Sequence, residues 1–127
     1  MNAQVALKGY SDVRVKAGVA GASAHGLIQM LFDGLLERIA QVKGAMEKKN
    51  IELKGAKVNQ AVSILFGLRE SLDRENDSEL SARLDDIYDY IQRRLWKAHM
   101  DNDPAILDEC SQLVNEISSA WSAIKPQ

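Results

Sequence analysis

From Ser23 onward the apolar residues recur at intervals of three and four, in four stretches separated by short polar runs. A helix turns about 100° per residue, so this spacing puts the apolar side chains of each stretch on one face. No stretch of the sequence shows the strict alternation that is typical of strands. The pattern therefore predicts an all-α protein built from long amphipathic helices.

Start and stop signals divide the pattern into four helices. Ser23, Asn50 and Asp103 are side chains that can cap a helix N-terminus, and Pro104 suits the first helical position. Asn76 stands three residues before Glu79 and so resembles a capping box. The predicted helices span about residues 24–48, 51–72 and 77–100, and a fourth begins at Pro104.

The connections between these helices are only a few residues long, so neighbouring helices must run antiparallel. We therefore predict an antiparallel up-down four-helix bundle formed by residues 23–127. Residues 1–22 contain three glycines and no clear helical stripe. We predict that they form a flexible or short-helical N-terminal arm.

Charge and composition exclude several kinds of partner. The 127 residues include 16 basic and 18 acidic side chains, which are interleaved and give a net charge of -2. Nucleic-acid binding normally needs a clustered positive face, so it is not expected. The sequence has one cysteine and no apolar run of the ~20 residues that a membrane helix needs. We expect a cytoplasmic protein that neither crosses nor inserts into a membrane.

Few residues offer catalytic or metal-binding chemistry. His25 and His99 are far apart in sequence and form no Glu-x-x-His pair, so we interpret them as residues at helix ends. Cys110 falls on the core stripe of the fourth helix, where a small buried side chain is expected. We predict no catalytic residues, no metal and no cofactor, and place a bundle enzyme or metal carrier far behind a binding protein.

Four glycines lie in the interior of the predicted helices, beyond the first turn, where each costs about 1 kcal/mol relative to alanine. Close approach of a neighbouring backbone would compensate for this cost, and the alternative is that some lie in frayed turns. These positions are Gly34, Gly44, Gly55 and Gly67.

Several large apolar residues lie away from the predicted core stripes. Tyr90 and Trp96 project about 120° to either side of the stripe of the third helix. Similar off-stripe residues occur on the second helix, at Ile64 and Phe66, and on the fourth, at Ile106 and Leu113. An exposed apolar band of this kind is typical of an interaction site. The alternative is that these residues fill corners of an irregular bundle or a homodimer contact.

An ordered set of motifs resembles the FliS family of flagellin-specific export chaperones. The motifs are "ASAHGLIQMLFDG" from Ala22, "KGAKVNQAVSIL" from Lys54, "ESLD" from Glu70, "LDDIYDYIQRRLWKAHMDNDPAIL" from Leu84 and "AW" at Ala120.

The resemblance implies a cytoplasmic chaperone that binds the disordered C-terminal segment of flagellin and prevents its premature polymerisation. The chaperone would also assist delivery of this client to the flagellar type III export gate, which it would contact while the client is bound. A generic helical adaptor for another amphipathic segment is the alternative. We expect the free protein to be a monomer or a weak homodimer.

The resemblance also implies that the client folds around the bundle and that the N-terminal arm covers part of the binding surface in its absence. We predict that the covering residues are Tyr10, Val13 and Val15. The predicted client-binding residues are Asn59, Ile64, Phe66, Tyr90, Trp96, Ile106 and Leu113. The proline and glutamate that the family pattern places after Ser23 are here Ala24 and Gly26, which removes one capping-box bond.

Overall fold

A computed structural model describes residues 23–124, and this part of the chain contains four α-helices and no strand. The helices are α1 (Ala24–Glu47), α2 (Ile51–Glu70), α3 (Ser78–Asp101) and α4 (Pro104–Ala123). The predicted all-α class and the predicted existence of each helix are confirmed, with boundaries that differ by at most about two residues.

Three of the predicted N-caps are present. The side chain of Ser23 accepts a hydrogen bond from the Gly26 backbone N–H at 3.0 Å. Asn50 accepts one from the Leu53 N–H at 3.1 Å at the start of α2. Asp103 caps α4, with Pro104 in the first turn. Each cap satisfies one of the N–H groups that a helix start leaves without an intrahelical partner.

The predicted cap of α3 at Asn76 is wrong, because the adjacent residue, Asp77, takes that position. The Asp77 carboxylate accepts a hydrogen bond from the Leu80 N–H at 3.1 Å. Asn76 is held in the preceding loop, where its backbone N–H and its side-chain amide both donate to the carboxylate of Asp73. Both residue types can cap a helix, so the loop geometry decides between them.

The helices form a ring in which each packs against two neighbours. The pairs in contact are α1 with α2, α2 with α3, α3 with α4, and α4 with α1. The connection from α1 to α2 is three residues long and that from α3 to α4 is two, whereas residues 71–77 join α2 to α3. The predicted antiparallel four-helix bundle is confirmed.

The core consists mainly of aliphatic side chains from all four helices, with the ring of Phe32 among its largest members. Cys110 is fully buried in it, which confirms the prediction from the stripe of the fourth helix. The most completely buried large side chains are Leu31, Leu35, Ile39, Leu65, Leu68, Ile91, Leu95 and Leu107.

Close packing does not explain two of the four glycines in the helix interiors. A Cβ atom built on Gly44 would meet no atom within 4 Å, and one on Gly55 would lie 3.9 Å from His99 Cε1, an ordinary contact. The expectation of close approach is therefore wrong at these two positions. Gly34 and Gly67 are buried.

No helix within residues 23–124 is both long enough and apolar enough to span a membrane. The predicted arm, residues 1–22, lies outside the described part of the chain, so the proposed boundary at residue 22 stays a prediction.

Candidate functional site

An apolar trough opens at one end of the bundle, where α1 and α3 begin and α2 and α4 end. It consists of two adjoining hollows of about 490 and 250 Å³. Both hollows are lined by Ile28, Trp121 and Ile124. The other lining residues are Ala24, His25, Leu27, Phe32, Ser71, Leu72, Leu80, Leu84, Tyr88, Ile117 and Ala120.

Buried aromatic rings form the base of the trough, and exposed aliphatic side chains form its rim. Phe32 and Tyr88 are 1% and 3% exposed, whereas Leu80 and Ile124 are 51% and 64% exposed. Burial raises the pKa of Tyr88 well above its usual range, so the phenol stays neutral. An exposed apolar concavity of this kind marks an interaction site.

One wall of the trough is held by a reciprocal contact between the start of α1 and the end of α4. The rings of His25 and Trp121 stack with centroids 4.7 Å apart. The indole N–H of Trp121 donates to the His25 carbonyl at 3.0 Å, and His25 Nε2 lies 2.8 Å from the Trp121 carbonyl. One turn further along α1, the Gln29 side-chain amide donates to Ser118 Oγ at 2.7 Å. These contacts fix the two helix ends that frame the trough.

Polar contacts across the helices explain why Tyr90 lies off the core stripe. Its hydroxyl donates to Glu109 on α4 at 3.1 Å, and Arg94 donates to the other oxygen of the same carboxylate at 2.9 Å. Arg93 pairs with Asp89 on its own helix, as helical spacing predicts. The same spacing predicts an aspartate partner on α3 for Arg94, and this is wrong, because Arg94 bridges to α4 instead.

None of the seven predicted client-binding residues lines the trough, and their part in client binding stays a prediction. Ile64 and Ile106 are only 8% and 6% exposed and belong to the core. Tyr90, Trp96 and Leu113 are partly buried, and the last two pack against the core.

Phe66 and Asn59 are the most accessible of the predicted residues. Phe66 is 40% exposed and lies in the last two turns of α2. Asn59 is exposed, and no hydrogen bond links its side chain to another residue within 23–124. The predicted covering residues Tyr10, Val13 and Val15 lie outside the described residues.

Most apolar residues of the trough follow the same helical spacing as the core, so the spacing alone does not distinguish them from core residues. Ile28, Leu84 and Trp121 keep the helical spacing of their stripes, and Leu80 and Ile124 lie at stripe ends. In a bundle, stripe residues in the terminal turns have no further layer of side chains beyond them. The informative signal is that the α1 and α3 starts and the α4 end, which all carry stripe residues, meet at the same end of an antiparallel bundle.

The side chains of residues 23–124 include no group of three or more that could hold a metal ion. Burial raises the pKa of the Cys110 thiol to about 12, so the reactive thiolate is not formed at neutral pH. The lining of the trough is mainly aliphatic and aromatic.

A family model described as flagellar protein FliS matches residues 6–127. The chain belongs to the FliS family. It is 45% identical over 124 residues to a flagellar secretion chaperone, FliSB, of Pseudomonas aeruginosa, covering 98% of each chain. It is 36% identical over 121 residues to the flagellar secretion chaperone FliS of Vibrio cholerae, covering 95% of this chain and 89% of the relative. The match to the Salmonella typhimurium protein of the same name is 35% identical over 122 residues, with 95% and 90% coverage.

This FliS-family chain begins α1 with a reduced capping arrangement. In a full capping box, the side chain three residues after the cap also accepts a hydrogen bond from the backbone N–H of the cap. Ser23 makes the first of these two bonds, but Gly26 has no side chain to make the second, and the first turn has no acidic residue. The contact of His25 with Trp121 provides a different anchor for the same helix start.

Proposed function

We propose that this chain is a cytoplasmic flagellar export chaperone that binds the disordered C-terminal segment of flagellin. The observation that carries the proposal is the exposed apolar trough at one end of the bundle. The relatives' names, flagellar secretion chaperones, support the flagellar setting. The match to the FliS family supports a helical client-binding role.

The chemistry of the trough suits the apolar face of an amphipathic helix. Its rim residues, Leu80 and Ile124, are mostly exposed, and Trp121 lines both hollows. Burying one such aliphatic side chain stabilises a complex by roughly 1.5–3 kcal/mol. Several such contacts are needed, because a disordered client loses conformational entropy when it folds on the surface.

The flagellin segment extends beyond the trough in this proposal, along the outer faces of α2, α3 and α4. Phe66 offers a half-exposed ring, and the free amide of Asn59 can bond a client backbone. Tyr90, Trp96 and Leu113 contribute their exposed edges as secondary contacts. Covering flagellin's C-terminal segment prevents premature polymerisation. The complex of chaperone and flagellin is then delivered to the type III export gate.

The N-terminal arm has an autoinhibitory role in this proposal. Residues 1–22 continue directly from Ser23, which precedes the trough residue Ala24. Tyr10, Val13 and Val15 supply the apolar side chains that occupy the trough when no client is bound.

The test is a binding measurement with flagellin and two matched variants. Leu80→Glu places a charge on the trough rim, and glutamate is well tolerated in the first turn of α3. Ile51→Glu makes the same change in the first turn of α2, at the opposite end of the bundle, where Ile51 is 76% exposed. We expect Leu80→Glu to weaken flagellin binding by about ten- to a hundredfold, since a buried leucine contributes roughly 1.5–3 kcal/mol. Ile51→Glu should leave binding unchanged.

Flagellin without its C-terminal segment separates the proposal from the generic adaptor. Undiminished binding of this truncated flagellin would favour the adaptor. Coupled folding predicts that helical circular dichroism of the complex exceeds the sum of the two free proteins. Equal signals would contradict folding of the client on the chaperone.

A further inference from the structure

A second pocket lies at the opposite end of the bundle, between the α1–α2 turn and the α3–α4 turn. Its volume is about 380 Å³, and none of its lining residues belongs to the trough. The apolar part of the lining comes from Ala45, Met46 and Ile51, and the polar part from Lys49, Asn50, Lys54 and Asn102.

Lys54 is a buried cation in this lining without a negative partner. Its side chain is among the buried polar groups, with the residue 7% exposed. The ammonium donates to the His99 carbonyl at 3.0 Å and to Asn102 Oδ1 at 2.6 Å. Both acceptors are neutral, and Lys54 has no ion pair with any residue of the described range. An ammonium has three N–H donors, so one remains for a ligand.

The charged residues of the pocket lining, Lys49 and Lys54, are both positive. Lys49, which also lines the pocket, has a positive φ of 56° and provides a second ammonium at the entrance. The pocket also adjoins the first turn of α2, whose dipole favours negative charge. The ligand that complements this lining is an anion.

Exposed aliphatic side chains lie beside the two lysines. An inorganic anion would contact the lysines and leave this apolar surface uncovered. Ile51 lines the pocket and is 76% exposed. Leu53 and Met100, at the same end of the bundle, are 39% and 72% exposed. A free phosphate or acetate makes no use of apolar surface, whereas a peptide with alternating acidic and aliphatic residues uses both.

We propose that this pocket binds an acidic, apolar-anchored peptide segment of a partner protein. One carboxylate of the segment binds Lys54 and Lys49, and a neighbouring aliphatic side chain packs against Met46 and Ile51. The pocket and the trough lie at opposite ends of α1 and α2, helices about 30–36 Å long. A chaperone with its client bound therefore keeps this pocket open for a second protein.

The probe for this site is the blocked peptide acetyl-Asp-Leu-Glu-Leu-amide, with acetyl-Asn-Leu-Gln-Leu-amide as its uncharged counterpart. Titration into the isotope-labelled full chain, followed by amide chemical shifts, locates the bound peptide. We expect the acidic peptide to shift the amides of Met46, Asn50, Ile51 and Asn102. The uncharged peptide should bind about tenfold more weakly, because it lacks the charge-assisted hydrogen bonds.

Three variants test the assignment of the cations. Lys49→Asn removes one ammonium and suits the positive φ of this position, so the fold is kept. Lys54→Met removes the buried charge and keeps the apolar stem, and its thermal unfolding is measured alongside. Both variants should bind the acidic peptide about tenfold more weakly than the unmodified protein does. The control is Lys57→Gln, which removes an α2 lysine that does not line the pocket.

Four outcomes would overturn the proposal. These are equal binding of the two peptides, peptide-induced shifts confined to the trough, unchanged affinity in Lys49→Asn, and phosphate reproducing the shifts at the same concentration as the peptide. The last outcome would indicate an adventitious ion site only. Ile51→Glu should weaken the acidic peptide without affecting flagellin, and Leu80→Glu should do the reverse, so each proposal can fail alone.

Discussion

The side chains of His25 and Trp121 each reach the other residue's backbone carbonyl while their rings stack 4.7 Å apart. Because Nε2 of His25 faces a carbonyl oxygen, it must carry the proton and act as the donor. The pair joins the first turn of α1 to the last turns of α4, 96 residues apart in sequence. It stabilises two helix ends that would otherwise fray beside the trough.

Trp121→Phe should lower the free energy of unfolding by about 1 kcal/mol more than Trp96→Phe does. The first variant removes an indole N–H that bonds the His25 carbonyl at 3.0 Å. The second removes the same group from a tryptophan whose N–H bonds no residue of the described bundle. Urea denaturation of both variants measures the difference. Equal losses would show that the indole hydrogen bond contributes nothing to stability.

Gly44→Ala should stabilise the protein by about 0.5–1 kcal/mol. A Cβ atom at this position meets no atom within 4 Å, so the substitution adds no clash and reduces the entropy of the unfolded chain. The measurement is the urea midpoint of the variant relative to the unmodified protein.

The matched control is Ala40→Gly, one turn earlier on an exposed position of α1. It should lose a similar amount of stability for the same reason. A loss in Gly44→Ala would mean that a partner or a second chain approaches this backbone.

Acidification should destabilise the bundle partly through His99. Burial lowers the pKa of His99 below its ordinary value of 6.5, and the charge of Lys54 lowers it further. His99 Nδ1 is buried and has no hydrogen-bond partner among residues 23–124. As the pH falls below the ordinary histidine pKa, the unfolded chain binds a proton that the folded state resists, so stability is lost. The loss levels off once the pH is below the pKa of folded His99.

The measurement compares urea midpoints at about pH 7.5 and about pH 5.5, which lie on either side of the ordinary histidine pKa. The drop between them should be smaller for His99→Gln than for the unmodified protein. An identical drop would assign the acid sensitivity to other groups.

Deletion of residues 1–20 should leave the bundle folded and strengthen flagellin binding several-fold. If the arm occupies the trough in the free protein, only part of the population is open to the client, and removing the arm makes all of it available. Calorimetry with the flagellin C-terminal segment measures the change, and circular dichroism checks the fold. Weaker binding would mean that the arm forms part of the client site.

Helical periodicity was sufficient to predict the four helices and their antiparallel arrangement. This prediction depends only on the spacing of apolar residues and on the length of the loops, and both can be read directly from the sequence. The cap of α3 was assigned one residue early, because Asn76 and Asp77 are adjacent and equally suited to the position. Only the loop contact between Asn76 and Asp73 distinguishes them.

The candidate site was harder to predict, because exposure depends on what lies opposite a residue in space. Leu80 and Ile91 occupy equivalent positions on the stripe of α3, yet Ile91 is fully buried whereas Leu80 is half-exposed at the end of the helix. The sequence predicts a partner contact for Tyr90 because this residue lies off the core stripe, and it does not reveal that the hydroxyl bonds Glu109 on another helix. Such contacts follow from tertiary packing, which the spacing of one helix does not encode.

The trough includes Ala24, the first residue of α1, so residues 1–22 are joined to its edge through Ser23 alone. A segment attached this closely acts at an effective concentration in roughly the millimolar range, however dilute the protein is. In the proposed autoinhibited state, a segment of another protein has to displace the arm by its own affinity for the trough. The covalent connection of the arm would then exclude apolar segments that match the trough only weakly.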